Sequence, residues 1–229
     1  MNYHITQPER PFARTNRQTI YQRANLLHEL GYERPSIAEI CCGDCRRQRQ
    51  IYREVLQVEN YCGLDLSPTV VALNRAHDVA CIRGDALDVA VMAQFTDFDV
   101  LFFGPPLSAR CDGHTGLSFP QVTPGFAPFA RLLLQELHYN GLLVCICPNS
   151  TNMGDIQWLY QQVQTFRANV GLQFIHHSYA TLTGADEVTE MRLKYVELWF
   201  SASLPDLWEV RASRGNTFVE TDQNDRNGG

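Results

Sequence analysis

The chain has 229 residues, and its charged groups sum to a formal net charge of −6 at pH 7. This acidic balance argues against a strong autonomous grip on nucleic acid, which usually needs a basic face. No apolar run approaches the roughly 20 residues of a membrane-spanning helix, and residues 1–17 contain no apolar signal core. We therefore expect a soluble, cytoplasmic protein without a membrane partner.

Two groups of arginines stand out from this acidic background. We interpret each group as the solvated face of a helix, although a local basic patch for an acidic partner is the alternative. The first group contains Arg10, Arg14, Arg17 and Arg23, and the second contains Arg46, Arg47, Arg49 and Arg53.

Eight cysteines raise the question of a disulfide framework or a metal site. Cys145 and Cys147 lie in an apolar run, where we predict that they share one face of a buried strand. Cys41, Cys42 and Cys45 resemble half of a zinc site, but no second pair of ligands follows at the spacing of a zinc ribbon. We therefore predict no metal and reduced thiols.

Helical and strand patterns alternate along the chain. An amphipathic helix is predicted over 15–30, where apolar residues recur at helical spacing. Predicted strands then cover 36–41, 61–66, 80–83, 98–103, 142–147, 174–182 and 195–202. Predicted helices between them cover 46–58, 67–74, 87–94, 127–139 and 155–169.

This alternation predicts an α/β fold. We expect a doubly wound, mostly parallel seven-stranded sheet with an antiparallel edge strand and helices on both faces. The last two strands have no long helix between them, so they should form an antiparallel hairpin at one edge. Residues 1–35 are predicted to form an N-terminal arm and helix, residues 36–204 the main domain, and residues 205–229 a polar, disordered tail.

Polar or glycine-rich segments follow four of the predicted strands. The first is Glu39 with the loop from Cys41 to Cys45, where a small-residue turn and a helix N-terminus can surround a ligand. The second is Asp65, whose carboxylate suits two adjacent ribose hydroxyls. The third is Asp85 with Ala86, which could recognise the edge of an adenine. Because the carboxyl ends of parallel strands share one edge of a sheet, these residues should lie together.

With these motifs in order, the chain resembles the class I S-adenosylmethionine-dependent methyltransferases. The resemblance covers about residues 37–147 in motif order and implies S-adenosyl-L-methionine as the cofactor. It assigns the methionyl part to the first loop, the ribose to Asp65 and the adenine amine to Asp85. The cofactor-binding residues implied in this way are Glu39, Cys41, Cys42, Gly43, Cys45, Asp65, Leu66, Asp85, Ala86 and Gly104.

The first motif departs from the family pattern of three alternating glycines. Only the middle glycine, Gly43, is present, and Cys41 and Cys45 occupy the outer places. Cysteine is small, so the loop can stay tight unless those places need a positive φ. If they do, each cysteine should cost on the order of 1 kcal/mol.

The fourth segment resembles the catalytic motif of methyltransferases that act on exocyclic or amide nitrogens. The chain keeps Pro105 and Pro106, but Gly104 lacks the usual side-chain acceptor and Leu107 replaces an aromatic ring. Gly-Pro-Pro also resembles cytosine C5 methyltransferases, whose nucleophilic cysteine is absent at Leu107. A third interpretation is structural, in which the prolines stiffen the exit from the strand.

A loop over 108–116 follows this motif. Its Asp112 and His114 could act as a base or orient a nucleophile, or the loop could be a lid of ordinary turn residues. We predict direct methyl transfer to a nitrogen or oxygen nucleophile, with Gly104, Pro105, Pro106, Asp112 and His114 as the catalytic candidates. The sequence does not choose between a small-molecule and a nucleic-acid substrate, and it does not predict an oligomeric state.

Two other functional classes compete with this prediction. A nicotinamide dehydrogenase would need Gly-x-Gly-x-x-Gly after the first strand, which the sequence lacks. A non-catalytic cofactor-binding or interaction module with a degenerate methyltransferase fold is the alternative that the missing glycines and the altered Pro-Pro motif favour.

Overall fold

The computed structural model describes residues 12–15, 17–105, 125–148, 153–167, 170–183, 190–201 and 209–211. The strands are β1 (Phe12–Thr15), β2 (Ile37–Ile40), β3 (Tyr61–Asp65), β4 (Cys81–Arg83), β5 (Val100–Phe103), β6 (Leu142–Pro148), β7 (Gly171–Thr183), β8 (Glu190–Ser201) and β9 (Glu209–Arg211). The helices are α1 (Arg17–Glu29), α2 (Arg46–Leu56), α3 (Pro68–Arg75), α4 (Val89–Met92), α5 (Phe126–Ala130) and α6 (Met153–Phe166).

The strands form one mixed sheet with the order β1-β7-β8-β6-β5-β2-β3-β4. Strands β4, β3, β2, β5 and β6 run parallel to one another, while β8 is antiparallel to both β6 and β7. The predicted seven-stranded, mostly parallel sheet with an antiparallel hairpin is therefore confirmed. The reversed strand of the hairpin, β8, lies between β6 and β7 rather than at the outer edge.

Two short strands extend the seven-stranded sheet beyond the prediction. Strand β1 pairs antiparallel with Ala180–Thr183 of β7, so it forms an antiparallel edge strand. Strand β9 pairs parallel with residues 174–176 of the same strand. Residues of the predicted N-terminal arm and of the predicted polar tail thus both contact the sheet along β7. Neither strand shows a long apolar pattern, so neither could be recognised from the sequence.

Helices cover both faces of the sheet. Side chains of α1, α2 and α3 pack with Ile37, Val100 and Phe102 on one face. Side chains of α4, α5 and α6 pack with Ala38, Ile40 and Phe103 on the other. Adjacent residues of a strand point to opposite faces, so consecutive apolar residues in β2 and β5 serve both cores.

Two predicted helices are more irregular than the sequence suggests. The predicted helix over 87–94 is realised as α4, capped by the Asp88 carboxylate, followed by a 3₁₀ turn at Ala93–Phe95. The predicted helix over 127–139 consists of α5 and a π-helical segment at Arg131–Glu136. Within the described residues, no helix is long and apolar enough to cross a membrane.

Candidate functional site

The loop after β2 turns sharply at two residues with positive φ. Cys41 has φ 59° and Gly43 has φ 56°. The Cys42 N–H donates to the Leu64 carbonyl of β3 at 3.0 Å, which holds the loop against the neighbouring strand. The turn therefore leaves the loop at the carboxyl edge of the sheet, where α2 begins at Arg46.

Asp65 at the end of β3 forms a hydrogen bond directly with this loop. Its Oδ2 accepts from the Gly43 N–H at 3.0 Å, and its Oδ1 accepts from the Ser67 N–H at 2.9 Å. Burial raises the pKa of Asp65, and the backbone N–H groups of Ser67 and Gly43 oppose that rise. The next residue, Leu66, is apolar yet 58% exposed. The first two predicted motifs thus meet in one hydrogen-bonded unit.

The third motif lies beside the second. Strand β4 pairs with β3 so that Asp65 lies opposite Arg83, two residues before Asp85. The exposed Asp85 carboxylate accepts from the Leu87 N–H at 2.9 Å, and Leu87 is itself 39% exposed. Two carboxylates and two exposed leucines consequently follow neighbouring strands at one edge.

The fourth motif is only partly described. Gly104 follows β5 and donates its N–H to the Ile40 carbonyl at 3.0 Å, so it lies beside the first loop. Pro105 is buried. The other catalytic candidates, Pro106, Asp112 and His114, lie outside the described residues. After this gap, Phe129 stacks on Phe103 with ring centroids 3.8 Å apart, which anchors the chain to the core.

Glu39 lies on the face of β2 that α1 and α2 cover, in a buried polar cluster that the sequence did not predict. Arg23 of α1 forms an ion pair with Glu197 of β8 at 2.7 Å, and both side chains are buried. The Arg23 guanidinium also lies 4.8 Å from the centre of the Phe102 ring. Trp199 donates its indole N–H to the second Glu197 oxygen at 3.3 Å. The interpretation of Arg23 as part of a solvated face is therefore wrong.

Among the residues that the structure describes, five buried polar atoms of this cluster have no hydrogen-bond partner. They are Arg23 Nη1, Glu39 Oε1, Gln48 Oε1 and the hydroxyl oxygens of Tyr52 and Tyr61. The Tyr61 hydroxyl nevertheless lies close enough to Glu39, and the Tyr52 hydroxyl close enough to Arg23, to interact with these charged groups. Native proteins leave few such groups unsatisfied, because each costs about 1–3 kcal/mol. The cluster therefore retains hydrogen-bonding capacity in the interior of the protein.

The cluster contains groups of opposite charge, and burial beside one another shifts the pKa values of Glu39 and Arg23. Burial raises the pKa of Glu39 to about 7, even though the nearby Arg23 guanidinium lowers it. Burial disfavours the Arg23 charge, but the Glu197 carboxylate raises the pKa of Arg23 above its ordinary value. Arg23 thus stays cationic, while Glu39 changes its charge near neutral pH.

The helical spacing of the sequence indicates that two polar residues, Arg23 of the cluster and Asn74 of α3, are buried. Arg23 is three residues after Ile20 and four before Leu27, so it occupies a core-facing position of α1. Asn74 likewise follows Val70 by four residues on the buried face of α3. A polar residue at a core-facing helical position indicates a buried partner, although not which one.

Comparisons with known proteins identify the fold. No family model matches the sequence, and no curated protein matches it either. Solved structures that resemble it include a candidate RNA methyltransferase from Pyrococcus horikoshii, with TM-score 0.56 and 11% identity over 82% of this chain and 86% of that chain. The methyltransferase domain of bacterial CtHen1 has TM-score 0.53 and 9% identity over 80% of this chain and 98% of its own.

A third similar structure was solved in work on the conversion of a disulfide bond into a thioacetal group during echinomycin biosynthesis. Its TM-score is 0.53 and its identity 12%, over 86% of this chain and 88% of that chain. The chain has the class I methyltransferase fold. At such low identity the likeness extends to the fold and not to the reaction.

Against the methyltransferase pattern, the two cysteines at the outer glycine places behave differently. Cys41 has φ 59°, a conformation that glycine adopts without strain. Cys45 has φ −103° at the start of α2, a conformation open to any residue. Only one of the two substitutions therefore strains the backbone.

We expect Cys41→Gly to raise the free energy of unfolding by about 0.5–1 kcal/mol. Glycine relieves the left-handed strain of about 1–2 kcal/mol. Its greater freedom in the unfolded chain and the lost packing of the half-buried Cys41 side chain offset part of that gain. Cys45→Gly is the matched control and should lower stability by about 1 kcal/mol, because it removes a buried side chain without relieving strain. Urea unfolding measures both; equal effects of the two substitutions would contradict the assignment.

Asn74 of α3 holds the first loop, residues 41–45, through two hydrogen bonds to its backbone. Its side-chain amide donates to the Gly43 carbonyl at 2.8 Å, and its oxygen accepts from the Cys45 N–H at 3.2 Å. The amide also touches the sulfurs of Cys42 and Cys81 at 3.8 and 3.9 Å. Among the described residues, no group of three or more His, Cys, Asp or Glu side chains has the arrangement of a metal site.

Proposed function

We propose that the protein is an S-adenosylmethionine-dependent methyltransferase that transfers a methyl group directly to a nitrogen or oxygen nucleophile. The observation that carries this proposal is the hydrogen bond from the Gly43 N–H to Asp65, which joins the first loop to the carboxylate that we assign to the ribose. A carboxylate can accept about four hydrogen bonds. Asp65 accepts from the Gly43 and Ser67 N–H groups, and the Leu66 N–H also interacts with it. The acceptor capacity that remains is available to the ribose hydroxyls.

The surroundings of Asp65 suit an adenine. Leu66 and Leu87 present apolar surface to solvent beside two carboxylates. An aromatic base can cover these leucines while Asp85 accepts from its exocyclic amine. Single exposed leucines are common on protein surfaces, so it is their position after neighbouring strands, beside Asp65 and Asp85, that supports a planar ligand here.

The buried cluster suits the other end of the cofactor. The methionyl group of S-adenosylmethionine is a zwitterion, with one carboxylate and one ammonium. Within the described part of the chain, neither Arg23 Nη1, a cationic donor, nor Glu39 Oε1, an acceptor, has a hydrogen-bond partner. We assign the carboxylate to Arg23 and the ammonium to Glu39, which would satisfy both buried atoms.

Catalysis in this proposal depends on alignment more than on acid or base chemistry. When bound, the cofactor supplies an activated sulfonium methyl group. The loop of residues 41–45 and Asp65 fix its position, while Gly104 and the Pro105 carbonyl border the place where a nucleophile approaches. An amine nucleophile loses its proton late, so it needs no strong base. Gly104 therefore does not rule out nitrogen methylation.

Ligands that lack the amino-acid end test the zwitterion assignment. We expect Glu39→Gln to weaken S-adenosylhomocysteine binding about tenfold or more, because a charge-assisted hydrogen bond is lost. Binding of 5′-methylthioadenosine, which has no amino-acid end, should stay unchanged. Calorimetric titration of both ligands gives the comparison. An equal loss for both would mean that Glu39 acts on the loop as a whole.

The raised pKa of Glu39 predicts a pH dependence of stability without ligand. Its folded pKa of about 7 lies above the unfolded value of about 4.3. The folded state therefore binds more protons between these values, and the free energy of unfolding should fall as pH rises through them, by up to about 1.4 kcal/mol per pH unit. Arg23, Tyr52, Tyr61 and Glu197 are the other charged or titratable groups facing Glu39.

Urea unfolding between pH 4.5 and 7.5 measures this slope. Glu39→Gln removes the titrating group, so the wild-type chain should lose stability relative to this variant as pH rises. Asp97→Asn, at an exposed carboxylate, is the control and should leave the slope of the wild-type chain intact. A pH-independent difference between wild type and Glu39→Gln would contradict the prediction.

The methyl acceptor is best sought by a transfer screen. Labelled S-adenosylmethionine is incubated with the full chain and with tRNA, DNA, protein lysate or a metabolite pool. Label that enters one pool identifies the substrate class, and Asp65→Ala is the control that should remove the signal. One similar structure is a candidate RNA methyltransferase, which makes the tRNA arm worthwhile despite the net charge of −6.

The alternative is a non-catalytic module that binds the cofactor or a partner. Two observations favour it, the strained Cys41 and the absence of a side-chain acceptor at Gly104. Saturable cofactor binding without transfer to any pool would support this alternative.

A further inference from the structure

Three thiols pack around Gly63 of β3. Two of them, Cys42 and Cys45, belong to the first loop, and the third, Cys81, belongs to β4. The sulfurs of Cys42 and Cys81 are 3.8 Å apart. A Cβ on Gly63 would lie 2.7 Å from the Cys42 sulfur and 3.2 Å from the Cys45 sulfur. Since real Cβ atoms do not approach another atom to 2.7 Å, Gly63 provides the space in which the sulfur of Cys42, in the loop after β2, meets the sulfur of Cys81, in β4, across β3.

We propose that Cys42 and Cys81 form an oxidation site, at which a peroxide converts the two thiols into a disulfide bridge. The bridge would shorten the sulfur separation from 3.8 Å to about 2.05 Å. Both residues are buried, so the oxidant must be as small as hydrogen peroxide.

The two cysteines have different roles in this reaction. A hydrogen bond from Cys42, supported by Asn74, lowers the pKa of Cys81, whereas hydrogen bonds to Cys45 and Cys81 raise that of Cys42. The Cys81 thiolate is therefore the nucleophile. It attacks one peroxide oxygen, and with one proton the other oxygen leaves as water, giving a sulfenic acid. The Cys42 thiol then attacks the Cys81 sulfur and a second water leaves.

The bridge would act on the first loop through hydrogen bonds already described. Cys42 precedes Gly43, whose N–H binds Asp65 and whose carbonyl accepts from Asn74. Drawing Cys42 towards β4 moves both groups away from their partners. We expect oxidation to weaken S-adenosylhomocysteine binding about tenfold, reversibly on reduction. The oxidation itself does not depend on the proposed function, whereas this consequence rests on it.

Peptide mapping tests the oxidation. The folded full chain is treated with hydrogen peroxide, its remaining thiols are blocked and it is digested with trypsin. We expect a cross-link between peptides 24–46 and 76–83 that lacks two hydrogen atoms and disappears on reduction. Cys81→Ser and Cys42→Ser should each abolish it, while Cys145→Ser, at a buried thiol of β6, should not. A different pairing, or free thiols under conditions that oxidise the denatured chain, would overturn the proposal.

Calorimetry of the reduced and oxidised chains tests the coupling. Weaker binding that dithiothreitol restores, in wild type but not in Cys81→Ser, supports it. A formed cross-link with unchanged affinity overturns the coupling alone. Failure of the reduced chain to bind the ligand at all counts against the proposed function and leaves the peptide map to decide the oxidation.

Discussion

Asp65→Ala should weaken the binding of S-adenosylmethionine by more than about 100-fold. The carboxylate would accept hydrogen bonds from two ribose hydroxyls, and each charged hydrogen bond contributes about 1.5–3 kcal/mol. A loss of about 3 kcal/mol corresponds to about two orders of magnitude in Kd. The substitution also releases the Gly43 N–H and therefore loosens the first loop.

Two further variants separate these contributions. Asp65→Asn retains one acceptor oxygen and the shape of the side chain, so its affinity should lie between those of wild type and Asp65→Ala. Asp97→Ala removes an exposed carboxylate that precedes β5 at the opposite end of the strands, and it should bind like wild type. Calorimetric titration measures all three. Unchanged affinity in Asp65→Ala would refute the ribose assignment.

Arg23→Met should lower the free energy of unfolding by about 3–5 kcal/mol. The substitution leaves Glu197 buried without its counter-charge, and removing one partner of a buried ion pair commonly has a cost of this size. It also removes the guanidinium that lies over the Phe102 ring. Urea unfolding at constant pH gives the change directly.

A double-mutant cycle identifies the origin of this loss. Glu197→Gln removes the charge but keeps an oxygen that can accept from Trp199. Arg23→Met combined with Glu197→Gln should therefore lose less stability than the sum of the single variants. Arg53→Met, at an exposed arginine of α2, is the control and should change stability by less than about 0.5 kcal/mol. Additive single effects would show that the ion pair is not coupled.

The sequence predicted the elements and their grouping because both depend on local patterns and on topology. Parallel strands bring their carboxyl ends to one edge, so the sequence alone places Asp65 and Asp85 together. Gly43 and Asp65, which are 22 residues apart in the chain, are joined by a direct hydrogen bond. Strand β9, by contrast, is short and depends on β7 rather than on its own pattern.

The buried cluster depends on contacts that a local pattern cannot contain. Arg23 and Glu197 are 174 residues apart in the chain. Arginine at a core-facing position predicts only that some partner exists, and composition favours exposure. The backbone strain at Cys41 could be predicted only on the condition that its φ is positive, because a sequence gives no φ angle. The roles of Pro106, Asp112 and His114 remain predictions, since these residues lie outside the described part of the chain.

Calorimetric titration of the full chain with S-adenosylmethionine tests the central claim most directly. We predict saturable binding at one site per chain, weakened more than about 100-fold in Asp65→Ala and retained in Asp97→Ala. Absence of binding by the folded wild-type chain at millimolar ligand would contradict the claim.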